Sequence, residues 1–158
     1  MQLIEAQALA NRIITLLLPY CEKVEVAGSI RRQKLEPGDI DIVVIQKAML
    51  GSWQQAILSL KRKFNAKVLK QGSKYVQLEI EGVGVDIYSV GEGNWGSVLL
   101  QRTGPWQFNE FLAKRAIRIG LRWTVDGIIK EGEVIAGKTE EDMFKALKME
   151  YVEPKDRS

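Results

Sequence analysis

The chain has 158 residues, 46% hydrophobic and 27% charged, with a formal net charge of +3. It can bury a sizeable core as one domain or two small lobes, and its mild basicity suits a nucleic-acid partner without requiring one. No apolar run is long enough to span a membrane and no charged-apolar-small leader opens the chain, so a cytoplasmic protein is expected. One cysteine and no histidine exclude an internal disulfide, a histidine general base and most zinc sites.

Residues 2–18 carry Ala6, Leu9, Ala10, Ile13, Leu16 and Leu17 at helical spacing, and Pro19 marks the end. This predicts a helix packed on a sheet, with a partner-binding face as the alternative. Cys21 has no histidine to activate it and is expected to be a small core residue. A strand is predicted over 22–28, a turn over Ser29–Lys34, and a second strand over 39–46.

The stretch 27–45, AGSIRRQKLEPGDIDIVVI, holds the densest chemistry. At Gly28 a backbone without Cβ can approach a phosphate, and Ser29 adds a hydroxyl donor. Arg31 and Arg32 supply charged forks suited to phosphate oxygens. Pro37-Gly38 is a turn that brings the following strand beside them. Asp39 and Asp41 alternate along that strand and share a face, where two carboxylates repel unless something positive sits between them. A divalent cation is the expected answer, and hard oxygen ligands favour magnesium or manganese.

Gly51-Ser52 opens a second helix with Trp53, Ala56, Ile57 and Leu60 on one face. Its last turn, Lys61-Arg62-Lys63, either complements the helix C-terminus or contacts a nucleic-acid backbone. Strand-like runs follow at 66–69, 74–80 and 83–90, with turns at Gly72-Ser73 and Glu81-Gly82. Asp86 interrupts the third run, which is costly unless the carboxylate is paired or metal-bound. If that strand neighbours 39–46, Asp86 completes a site of three aspartates.

Gly91-Glu92-Gly93 is a composition break and the best candidate for a boundary. Beyond Thr103-Gly104-Pro105, a helix is predicted from Trp106 to Ile119, closed by Gly120. It would bury Phe108, Leu112 and Ile117 or Ile119 and display Lys114, Arg115 and Arg118. Residues 122–124 and 127–134 read as short strands. Thr139 caps a last helix over 141–148, and 151–158 read as a polar tail.

These residues resemble the X family of DNA polymerases, the group that includes polymerase beta and terminal transferase. The motifs that carry the resemblance are Gly28-Ser29-x-Arg31-Arg32, Gly38-Asp39-x-Asp41, Asp86, Thr103-Gly104, and the ending Glu153-Pro154-Lys155-Asp156-Arg157-Ser158. The resemblance implies an α+β protein. Residues 1–90 would form a nucleotidyltransferase palm, a mixed or antiparallel sheet with two helices. Residues 91–158 would form a small α+β lobe that covers the nucleotide. It implies two magnesium ions, replaceable by manganese, on Asp39, Asp41 and Asp86, with Asp86 also helping to deprotonate a primer 3′-hydroxyl. Gly28, Ser29, Arg32 and Gly38 would hold phosphates, while Gly104, Trp106 and Asn109 would contact the nucleotide. Trp106 either stacks on the base or packs at the helix start, and Asn109 matches a contact to the minor-groove edge of the base.

The departures carry their own implications. Family polymerases normally carry a lyase domain and a helix-hairpin-helix domain, whereas only one helix and one strand precede Gly28. The expectation is a monomer without lyase activity, holding primer-template DNA weakly and with strong salt dependence. Gln101-Arg102 stands where the family has an aromatic pair against the sugar, which bears on the choice between ribo- and deoxynucleoside triphosphates. Ala113 and Gly84 replace arginines, which bears on template use. Three functional readings follow. The first is nucleotide addition to a DNA 3′ end, in gap filling or repair. The second is nucleotidyl transfer to another acceptor, such as RNA, protein or a small molecule, and the third is a catalytically silent binding module.

Overall fold

The computed structural model describes residues 1–158. The fold is α+β and divides into two compact units, Met1–Val90 and Gly91–Ser158.

In the first unit the order is α1 (Leu3–Leu17), β1 (Cys21–Val26), α2 (Gly28–Arg31), β2 (Ile40–Gln46), α3 (Ser52–Phe64), β3 (Lys67–Gln71), β4 (Tyr75–Ile80) and β5 (Val83–Ser89). The five strands form one sheet in the order β1-β2-β5-β4-β3. Only β2 and β5 run parallel; the other pairs are antiparallel. Ile40, Ile42 and Val44 of β2, Val76, Leu78 and Ile80 of β4, and Val85 and Ile87 of β5 point to one face. There they meet Ala6, Leu9, Ala10, Ile13 and Leu17 of α1 and Trp53, Ala56, Ile57 and Leu60 of α3. Each fully buried large aliphatic side chain contributes about 1.5–3 kcal/mol. This one-sided core fixes the strand register, because a slip by one residue would turn the apolar set outward. The alternate positions, Asp41, Asp86, Tyr88, Tyr75 and Gln77, therefore share the opposite, partly exposed face.

Two expectations for this unit are corrected. The first strand stops at Val26, and Gly28 opens the single helical turn α2 instead of closing a strand. Asp39 precedes β2 and is exposed.

The second unit runs from a 3-10 turn (Glu92–Asn94) through α4 (Trp95–Thr103), α5 (Trp106–Arg118), β6 (Arg122–Thr124), β7 (Gly127–Lys130), β8 (Glu133–Ala136) and α6 (Glu140–Ala146) to a 3-10 turn at Pro154–Asp156. The three strands form an antiparallel meander. Leu100, Phe108, Leu112, Ala116, Ile128, Met143, Phe144 and Leu147 make its core. Here too the structure departs from the sequence reading. The run 127–134 is a hairpin, turning at Glu131 (φ 49) and Gly132 (φ 81). Ala116 takes the buried place on α5 expected for Ile117 or Ile119: Ile117 is 69% exposed, and Ile119 lies just past the helix and is only half-buried. Arg115 is not displayed either: its Nε and Nη2 donate to the Leu147 and Lys148 carbonyls at 2.7 and 2.8 Å, closing the end of α6. The last helix ends at Ala146, and the polar tail is anchored through buried Arg157.

Candidate active site

Parallel pairing of β2 with β5 makes Asp41 and Asp86 register partners, with Ile40 opposite Val85. Neighbouring strands lie about 4.8 Å apart, so the two carboxylates leave adjacent points on the open face. Asp39 lies two residues before Asp41, and its Cβ is 3.9 Å from the point where a Cβ on Gly84 would stand. The backbone thus lines up all three sequence-predicted aspartates along one seam of the sheet.

The α2 turn hangs on the same seam. Ala27 N donates to the Asp41 carbonyl oxygen at 2.8 Å. Gly28 has φ +60, a conformation that L side chains rarely adopt, and a Cβ there would lie 2.2 Å from Asp41 Oδ2. Only glycine allows the Asp41 carboxylate to rest against the chain at this point. Ser29 Oγ is buried and meets no protein partner. A buried hydroxyl left unpaired costs about 1–3 kcal/mol, so its position suits an oxygen-rich ligand.

The arginines separate. Arg31 Nε lies 4.0 Å from Glu25 Oε1 on β1. Arg32 faces the aspartates: burial pulls its guanidinium below the ordinary arginine value, while Asp41 and then Asp39 act in the opposite direction. A positive group is therefore already set against two of the carboxylates, which relieves part of their repulsion. Gly38 is exposed and a Cβ on it would meet nothing within 4 Å, so no steric reason for glycine arises there.

Asp86 is engaged elsewhere. Tyr75 on β4 donates its hydroxyl to Asp86 Oδ1. The Tyr75 ring stacks on Tyr88 with centroids 5.1 Å apart and planes at 30°. No group of three or more acidic or cysteine side chains stands ready-made to hold a metal ion in this arrangement. The donor set still fits a hard divalent cation in kind and in backbone placement: carboxylate oxygens on adjacent strands beside a buried, unpartnered hydroxyl. Tyr75 is the residue that sequence reasoning missed. The available signal was the strand 83–90 folding back on 74–80, which sets Tyr75 opposite Tyr88.

In the second unit, Gly104 (φ 63) ends α4, and Trp106 begins α5 with 69% of its surface exposed, so it is not a packing residue. Asn109 Nδ2 donates to the Gln101 carbonyl at 2.8 Å, which fixes the orientation of the amide. Its Oδ1 is buried without a partner, beside a cavity of about 300 Å³ lined also by Gln101, Glu110, Ala113, Trp123, Thr124 and Val125. No helix is long and apolar enough to cross a membrane.

The family model of the DNA polymerase beta thumb matches residues 98–158, which relates the second unit to that polymerase. No curated protein matches the chain.

Proposed function

We propose that the chain is a DNA polymerase X-like nucleotidyltransferase that adds nucleotides to a DNA 3′-hydroxyl, in gap filling or repair. The parallel register of Asp41 with Asp86, beside the Gly28-Ser29 turn, carries this reading. The thumb match over 98–158 supports DNA as the partner. On this reading residues 1–90 are the palm and residues 91–158 the nucleotide-binding lobe.

Asp39, Asp41 and Asp86 would hold two magnesium ions, with manganese as a substitute; such ions stabilise charge on the attacking and leaving oxygens. The chain's own groups do the rest. Ser29 Oγ donates to a phosphate oxygen, and Gly28 keeps the backbone low enough for that approach. Arg32 brings a permanent positive charge to a carboxylate-lined site, offsetting the repulsion a triphosphate would meet. The 3′-oxygen attacks the α-phosphorus, the bond to the β-phosphate oxygen breaks, and pyrophosphate leaves. Asp86 is the proposed acceptor of the 3′-hydroxyl proton. In the second unit Gly104, Trp106 and Asn109 are the proposed nucleotide contacts, Trp106 through its exposed ring and Asn109 through its unpartnered oxygen.

Pyrophosphate release from deoxy- and ribonucleoside triphosphates, with and without primer DNA, tests the proposal. Release that needs the primer and disappears in Asp86→Ala supports it. Release without DNA points to another acceptor, and nucleotide binding without turnover in manganese would leave only a binding module.

A further inference from the structure

We infer that Tyr75 is a positioning residue for Asp86: in the cation-free protein its hydroxyl occupies Asp86 Oδ1 from the β4 side, and cation binding at that oxygen must break this hydrogen bond. The inference rests on the cation-dependent transfer proposed above and deepens it.

The order of the sheet sets the geometry. β5 lies between β2 and β4, so Asp86 has Asp41 as its partner on one side and Gln77 on the other. Tyr75 is two residues from Gln77 on the same face of β4, a diagonal neighbour of Asp86 within reach of a long side chain. Its hydroxyl donates to Asp86 Oδ1 from the side opposite Asp41. Its ring is held by the stack on Tyr88, which is its own register partner. The stack restrains the hydroxyl on the β4 side of Asp86.

The sign of the effect follows from which atom the phenol occupies: Oδ1 of Asp86, one of the oxygens a cation would need, already accepts its proton. An oxygen accepting from a phenol is also a poorer cation ligand until that proton is turned away. The contact therefore competes with the cation and shields a half-buried carboxylate while none is bound. A hydrogen bond to a charged group is strong enough for its removal to matter by about tenfold in an equilibrium constant.

Tyr75→Phe keeps the ring and its stack and removes only the hydroxyl. Manganese binding to the full chain, followed by the electron spin resonance signal of the free ion and by calorimetry, is expected to tighten about tenfold in this variant. The thermal midpoint supplies a second readout. Without cation the Phe variant is expected to unfold below the wild type, and at saturating manganese the two are expected to converge. Tyr88→Leu, which releases the Tyr75 ring but keeps its hydroxyl, is expected to tighten binding in the same direction by a smaller factor. Unchanged or weaker manganese binding in Tyr75→Phe, with an equal midpoint loss at both metal levels, would overturn the inference. Asp41→Asn and Asp86→Asn separate loss of the Tyr75 effect from loss of the cation site itself. If wild-type binding needs both aspartates and Tyr75→Phe fails to tighten it, the Tyr75 inference alone falls. If the wild type binds no manganese, or binding survives both substitutions, the cation reading falls and takes the inference with it.

Discussion

Gly28 ties backbone conformation directly to a functional side chain. Its φ of +60 disfavours any other residue by about 1–2 kcal/mol, and an added Cβ would strike the tip of Asp41. That tip is a side chain and can move, so the steric conflict resolves by displacing the carboxylate. Gly28→Ala is therefore expected to lower stability by only about 1–2 kcal/mol in urea unfolding, while transfer activity falls at least about a hundredfold. Equal, small losses in both would argue that Asp41 does not need its resting position. Cys21 shows the opposite case, a reactive residue type made inert. Burial raises its thiol to about 11, against a smaller opposing effect of Lys47. The unfolded chain ionises this thiol first, so the stability it preserves is present below pH 9 and is lost as pH rises from 9 toward 11. Urea midpoints over that range are expected to decline in the wild type and to flatten in Cys21→Val.

At the scale of elements, the runs holding Asp41 and Asp86 were legible as strands, but their pairing stood only as a condition and its parallel sense comes from the fold alone. Helices α1, α3 and α5 were legible from their apolar spacing. Other elements were not, because contacts distant in sequence make them. Helix α4 begins where the Gly96 and Ser97 amides donate to the Lys138 and Gly137 carbonyls at 3.2 and 3.0 Å. A Cβ on Gly96 would stand 2.2 Å from the Thr139 carbonyl carbon, so this glycine serves a close approach that no local pattern reveals. The tail was misread for a similar reason. Arg157, only 4% exposed, reaches Glu140 Oε2 at 2.7 Å and the Val152 carbonyl at 3.0 Å, and it lies over the Phe144 and Tyr151 rings. Breaking a buried ion pair by removing one partner costs about 3–5 kcal/mol. Arg157→Ala is thus expected to destabilise the second unit by about that amount in chemical denaturation. The pair Glu140→Leu with Arg157→Met is expected to recover much of the loss, because it leaves no lone buried charge. If Arg157→Ala leaves the midpoint unchanged, the tail does not clamp α6.

At the scale of the whole molecule, the sequence pointed to a divided α+β chain with its acidic chemistry in the first half and a polymerase-like second half. The fold is α+β, and residues 98–158 match the polymerase beta thumb. Neither bears on how tightly the chain grips DNA, which is set by charge on the surface. Lys61, Arg62 and Lys63 are all exposed at the end of α3. If they contact phosphates, replacing all three with glutamine is expected to weaken primer binding and to lower the salt slope of log affinity by about 2–3. An unaltered slope would leave them as complements to the helix end alone.

The most direct test of the account is primer extension at low salt with magnesium or manganese. It compares the wild type with Asp41→Asn on gapped, open template-primer and single-stranded DNA. The account predicts extension by the wild type on at least one of these and a loss of about a thousandfold or more in a folded Asp41→Asn. Extension that survives the substitution, or no extension by the wild type on any substrate, would contradict it.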